Sequence, residues 1–206
     1  MGVTAGGLEF RPLTRDDFAL VAGWLDEPHV ARWWRDPHGP DDLEASFGPG
    51  VDGIDPTDVR IVSVEGTPVG LVQRYRLMDE PTWRAALAPA GVPTDAFGID
   101  YLIGDPDRIG RGLGTRLIAA FVADSWGRYP EATACVVGVD RDNLRSWRVL
   151  ERVGFLAVWE GEFAPGDTGD EGPQIVLRLP RPTGDGRGST RVDDASRTGH
   201  LAPPQA

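Results

Sequence analysis

"RIGRGLGTRL", residues 108–117, places three glycines and three arginines in ten positions, just after the apolar stretch "FGIDYLIG" (97–104). A strand, a glycine-rich turn and an amphipathic helix in that order leave several backbone N–H groups pointing outward at a helix N-terminus. Those groups and the helix dipole favour an anion such as a pyrophosphate. Glycine suits the turn because a Cβ would block close backbone approach or forbid a positive φ. Gly110, Gly112 and Gly114 are spaced G-x-G-x-G, whereas a dinucleotide fold needs G-x-G-x-x-G, and here the strand comes too late in the chain. A nucleoside-triphosphate loop needs Gly-Lys-Ser/Thr, and the chain contains no lysine. On these residues alone, a phosphate cradle and a plain turn opening a helix both stand.

Working outward, Leu113, Leu117, Ile118, Phe121 and Val122 recur at helical spacing, which predicts a helix from Gly112 to about Gly127. "ATACVVGV" (132–139) reads as a buried strand, and residues 143–152 as a short helix capped by Asp142 or Asn143. "GFLAVWEGEF" and "PQIVLRLP" read as two closing antiparallel strands around an acidic loop, 164–173. Towards the N-terminus, "LEFRPL" (8–13) alternates as a strand, and Thr14 caps a helix striped by Leu20, Val21, Trp24 and Leu25. Pro28 interrupts that helix and "HVARWW" starts a second one. Residues 36–58 read as a loop around a helical turn near 41–47, residues 59–77 as a hairpin turning at "EGT", and residues 79–95 as an irregular excursion. This order predicts a single α/β domain over residues 1–180, with a central mixed β-sheet flanked by helices. From 181 to 206 the chain lacks apolar periodicity and reads as a disordered tail.

Composition narrows the function. The 206 residues suffice for one core, and all 21 basic residues are arginine. The net charge of -11 disfavours nucleic acid and anionic membranes as partners and suits a cationic one, although such a charge also simply keeps a protein in solution. Cys135 stands alone within an apolar strand and reads as an inert core thiol. His29, His38 and His200 have no metal-ligand spacing, so no metal is expected. There is no apolar leader core and no run of membrane-spanning length, so the expected location is the cytoplasm. The oligomeric expectation is a monomer or homodimer.

"GRGLGTRL" followed by "DNLRSWRVLERVGF" resembles the GCN5-related N-acetyltransferase (GNAT) superfamily. The resemblance implies acetyl-CoA as co-substrate. It assigns Leu102, Ile103, Arg108, Ile109, Gly110, Arg111, Gly112, Leu113, Gly114 and Thr115 to the strand end and pyrophosphate turn. Asn143, the sole asparagine, and Ser146 fall on the helix that meets the pantetheine arm. "LEFRPLTRDDFALVAGWLDEPHVARWW", "PVGLVQRY" and "FGIDYLIG" are further similar to the aminoglycoside 6′-N-acetyltransferases. That similarity implies a small cationic amine as acceptor. It places Asp100 beside the reactive amine as the catalytic residue, with Trp34, Gln73, Tyr75 and Glu171 lining the acceptor pocket. Three positions depart from the pattern. Ile109 stands where Gln or Arg is usual, Leu150 where a tyrosine general acid is frequent, and Gly138 where some of these enzymes carry an aspartate.

Acetyl transfer to an amine needs a group that orients or deprotonates the ammonium and a donor for the developing oxyanion. Asp100 suits the first task, and an aspartate amid apolar strand residues needs a compensating partner in any case. Its alternative is an ordinary strand-edge hydrogen bond. For Trp34 the alternative is packing, and for Glu171 a solvated acidic loop. Two other readings of the whole chain remain at this stage. One is an acyl-CoA N-acyltransferase of lysine or hydroxylysine side chains in siderophore assembly. The other is a catalytically silent acyl-CoA-binding sensor, which the loss of tyrosine at 150 keeps alive.

Overall fold

Alternating apolar residues and tight turns lay down one edge of the sheet as a run of antiparallel neighbours. In the computed structural model, which describes residues 3–5, 7–35, 37–163 and 172–183, this run comprises β1 (Val3–Ala5), β2 (Leu8–Pro12), β3 (Asp58–Val64), β4 (Thr67–Arg76) and β5 (Phe97–Ile103). Glu65 and Gly66 both take positive φ (51° and 76°) at the β3–β4 turn, the twist that a two-residue hairpin requires. β6 (Ala134–Asp140), β7 (Leu156–Gly161) and β8 (Gln174–Pro180) complete an eight-stranded sheet of order β1-β2-β3-β4-β5-β6-β8-β7. β5 and β6 are its parallel pair, and the other neighbours are antiparallel, as expected for a mixed sheet.

The helices cover both faces. α1 (Phe18–Leu25), α2 (Pro28–Ala31) and α3 (Pro40–Val51) bury Val21, Trp24, Leu25, Leu43 and Phe47 with Ile61, Leu71 and Leu102 of the sheet. α4 (Pro81–Ala86) lies in the β4–β5 connection. On the opposite face, α5 (Leu113–Arg128) and α6 (Leu144–Val153) pack Leu117, Ile118, Phe121 and Leu150 against Val72, Phe97, Ile99 and Val137. A buried ion network fastens α5 to the sheet. Arg74 on β4 is 2% exposed and pairs with Asp58 at 2.7 Å and with Asp124 at 2.6 Å.

Several expectations need correction. The 36–58 "loop" contains the twelve-residue α3, because Leu43 and Phe47 have a core to enter and Arg15 ties Glu44 and Asp52. The 79–95 excursion carries α4 and a short 3₁₀ turn at Ala88–Ala90, and β1 adds a strand before β2. Thr14 opens a 3₁₀ turn rather than α1 itself. Its hydroxyl and its N–H both donate to Asp17, whose carboxylate also binds Arg11 at 2.6 Å. Glu171, most of the 164–173 loop and the 184–206 part of the expected tail lie outside the described residues.

Candidate active site

β5 and β6 hold the key opening. Their parallel register covers Phe97↔Cys135 and Gly98↔Val136 and stops there. β4 accompanies β5 to Ile103, and β8 accompanies β6 to Asp140, so both strands continue but diverge. The far end of β5 is held on the side of the N-terminal helices. The His29 imidazole Nε2–H donates to the Ile103 carbonyl at 2.8 Å, and the Trp24 indole lies where a Cβ on Gly104 would sit. The result is a slot walled by Ile99–Ile103 and by Val137–Asp140. Arg35 reaches Asp140 at 3.7 Å across its N-terminal-helix side.

At the end of β5 stands the glycine turn. Gly110 and Gly112 take φ of 76° and 79°, and Gly112 is the N-cap of α5. A Cβ on either would meet nothing within 4 Å, so the backbone there faces open space with its first-turn N–H groups outward. Gly114 differs. Its φ is ordinary, and an added Cβ would make normal contacts of 3.5 Å with Val149 and 3.7 Å with Ile103. Close approach is therefore not what Gly114 supplies within the protein, and the conformational demand lies at Gly110 and Gly112. Leu113 anchors the helix start in the core, Thr115 is half-buried, and Arg111 is exposed. Arg108, beside Ile109, pairs with Asp105 at 3.5 Å. The Leu102 side chain packs under α1, so only its main chain borders the slot.

α6 begins beyond the end of β6. Asn143 caps it, its Oδ1 accepting from the Ser146 N–H at 3.2 Å. The Ser146 hydroxyl in turn meets the Tyr101 hydroxyl at 2.6 Å. Burial pushes the Tyr101 phenol well above its usual pKa. Leu150 is fully buried in the core and has no proton to give.

The other face of β5 is polar and aromatic. Asp100 registers with Gln73 on β4, whose Nε2–H donates to Asp100 Oδ2 at 2.8 Å. Tyr75 lies on the same face, with its ring over Gly98. Glu80 follows β4, and its carboxyl is raised in pKa by burial and by the charges of Asp55, Asp79 and Asp100. Trp83 of α4 covers Gly138 on β6, where a Cβ would stand 2.6 Å from its ring. Phe163 meets Trp83 edge-on at 5.2 Å and stacks on Trp159 at 5.4 Å. Among the described residues, the Trp83 indole nitrogen is the buried side-chain polar atom left without a hydrogen-bond partner. Asp100, Gln73 and Tyr75 are thus brought together on one face of the sheet. Trp34, by contrast, packs half-buried against the α1–α3 core.

The sequence model of the Acetyltransferase (GNAT) domain matches residues 14–163. The chain belongs to the GNAT acetyltransferase family. Aminoglycoside N(6′)-acetyltransferase type 1 of Klebsiella pneumoniae is 30% identical to it over 149 residues, 70% of this chain and 72% of that protein. The protein of that name from Serratia marcescens matches to the same extent. Among solved structures, this GNAT domain resembles the aminoglycoside acetyltransferase AAC(6′)-Ib in complex with coenzyme A and kanamycin. The TM-score is 0.71 at 26% identity, covering 84% of this chain and 95% of that one. A complex of AAC(6′)-Ib with ribostamycin and coenzyme A also gives a TM-score of 0.71, at 25% identity over 85% and 94% of the two chains.

The residues of this GNAT domain fit an acyl-CoA. The open, left-handed glycine turn suits a pyrophosphate, and the parted strands leave room for a narrow arm. Among the described residues, no three His, Cys, Asp or Glu side chains could hold a metal ion, and no helix is long and apolar enough to cross a membrane. Glu80, Trp83 and Tyr101 border this region with no local pattern to mark them: Trp83 meets Gly138 and Tyr101 meets Ser146, partners distant in the chain, and Glu80 is distinguished by its burial near Asp55 and Asp100. For Tyr101, adjacency to Asp100 on an alternating strand was the available signal, since it puts the two side chains on opposite faces.

Proposed function

We propose that this chain is an acetyl-CoA-dependent N-acetyltransferase acting on the 6′-amino group of aminoglycosides. The observation that carries the reading is the Asp100–Gln73 pair beside the slot, with the Glu80 carboxyl close enough to feel the charges of Asp55, Asp79 and Asp100. A polycationic sugar is drawn to such a group of carboxylates and loses charge repulsion on entering it. The resemblance in sequence and structure to aminoglycoside N(6′)-acetyltransferases supports the same acceptor class.

Acetyl-CoA supplies an activated acyl group whose thioester accepts a nucleophile. Gly110, Gly112, Leu113, Gly114 and Thr115, with Arg108, Ile109 and Arg111 at the rim, bind its pyrophosphate through the exposed N–H groups of the turn and of the α5 N-terminus. The main chain of Leu102 and Ile103 and the Asn143–Ser146 end of α6 line the arm. Gln73 fixes the plane of the Asp100 carboxylate, which orients the substrate ammonium and takes its proton directly or through water. Tyr75 and Trp83 bound the acceptor space, and the unpartnered Trp83 N–H offers a hydrogen bond to an acceptor oxygen. Glu171 is proposed to add a further acidic contact.

The assay is thiol release from acetyl-CoA by the pure protein. Release is expected with kanamycin and tobramycin and not with 6′-hydroxyl aminoglycosides. Release confined to lysine analogues would transfer the reading to side-chain acylation. Coenzyme A binding without release by any amine would mark a silent binding domain.

A further inference from the structure

Amide formation leaves a sulfur carrying the electron pair of the broken C–S bond, and a buried anion without donors is costly. Leu150 offers no hydrogen, and Cys135 is fully buried at the position where β5 and β6 are still paired. Trp147 donates its indole N–H to the Arg141 carbonyl, and Asn143, whose Oδ1 caps α6, stands beyond the end of β6. There remains a pair of hydroxyls. Tyr101 lies three residues past the last β5–β6 register pair, on the face of β5 opposite Asp100, and it bonds Ser146 in the first turn of α6. That contact joins one wall of the slot to the helix beginning beyond the other wall. Two hydroxyls carry two hydrogens and their mutual bond uses one, so the second is available for another acceptor.

We propose that Tyr101, supported by Ser146, is the hydrogen-bond donor to the sulfur of the departing coenzyme A. Asp100 and Tyr101 then divide the reaction between the two faces of one strand. The amine enters on the Asp100 face, its nitrogen forms the C–N bond, and the C–S bond breaks with its electron pair moving to sulfur. The sulfur is held by the Tyr101 O–H on the other face. Of the two protons lost by the ammonium, one ends on sulfur through solvent as coenzyme A leaves, and the other passes to solvent by way of Asp100. The phenol stays protonated throughout, which agrees with the effect of its burial.

This inference rests on the acyl-CoA part of the proposed function and is independent of the acceptor. Its test is the thiol pKa of bound coenzyme A, followed by the ultraviolet absorbance of the thiolate, with desulfo-CoA as a ligand that lacks the sulfur. In the wild-type protein the bound thiol should titrate below the free one. Tyr101→Phe should raise it by about one unit, a tenfold loss of preference for thiolate over thiol, with desulfo-CoA affinity unchanged. An identical thiol pKa in both proteins overturns the proposal. If Tyr101→Phe loses desulfo-CoA binding as well, Ser146→Ala decides, with a partial upward shift expected and no shift overturning the role. A wild-type protein that binds neither coenzyme A nor desulfo-CoA sinks the function reading itself. One that binds both with an unshifted thiol sinks only the Tyr101 assignment.

Discussion

The β4–β5 and β5–β6 ladders share a strand but differ in extent: β4 pairs with β5 at seven positions, Arg76↔Phe97 to Gly70↔Ile103, and β6 pairs with it at two. The longer ladder includes Gly70, Gln73, Arg74, Gly98 and Asp100, while β6 is rich in valine, so strand propensity does not explain the contrast. The difference lies in what each strand end is tied to. β5 is drawn to α1 and α2 by His29 and Trp24, while β6 follows β8. The closed ladder is structural, and the open one exposes main chain to a ligand. A sheet can make a binding slot without any unusual side chain, by withholding hydrogen bonds over half a strand.

The largest effect belongs to the closed side. Arg74→Met removes the cation shared by Asp58 and Asp124, leaving Asp58 with Arg60 and Asp124 without its partner, and the expected cost is about 3 kcal/mol in urea unfolding, with coenzyme A affinity per folded molecule retained. Equal loss of ligand affinity in the folded fraction would show that the two ladders are not separable. Next comes the open side. Asp100→Asn keeps the shape and the Gln73 neighbour but removes the charge, so kcat should fall about a hundredfold or more, with little change in stability. Turnover near the wild-type value would remove Asp100 from the chemistry.

Smaller effects separate the two glycines of the turn. Gly112→Ala must hold φ near 79° and should lose about 1 kcal/mol of stability. Gly114→Ala has ordinary φ and room for its methyl, so it should gain about 0.5–1 kcal/mol as a helix substitution. The added methyl points toward Val149 and Ile103 beside the slot, and coenzyme A affinity should fall severalfold. A more stable protein with undiminished affinity would detach Gly114 from the cradle.

The smallest expected effect is in pH dependence, and it has opposite signs in the two regions. Asp17 is held below the usual carboxylate range, first by its hydrogen bonds from Arg11. Its stabilisation is present above its unfolded pKa and is lost as pH falls through the lower folded value. Glu80 is raised by burial and neighbouring carboxylates, so its contribution is present below its unfolded pKa and is lost as pH rises through the higher folded value. Glu80→Gln should flatten the second dependence in urea titrations.

Much of this architecture was legible along the chain. The glycine turn, the α5 stripe, the Asn143 cap and the β3–β4 hairpin are decided by contacts within a few residues, and they appear where the pattern puts them. α3 was not legible, because Gly48, Pro49 and Gly50 argue against a helix that burial of Leu43 and Phe47 then stabilises. Asp100, Gln73 and Tyr75 could be grouped from resemblance, while the aromatic cover over Gly138 could not. Over Gly138 this chain sets the Trp83 ring from a different segment.

The sequence by itself determined the local devices: a left-handed glycine turn before a helix, a capped second helix, and an alternating strand that sends Asp100 and Tyr101 to opposite faces. These follow from sterics and hydrogen bonding over a few residues. Only the tertiary structure decided where β5 leaves β6, that Trp83 covers Gly138, and that Tyr101 meets Ser146. Those are contacts between segments far apart in the chain, and they exist only after the packing of helices on both faces has set the distance between the strands.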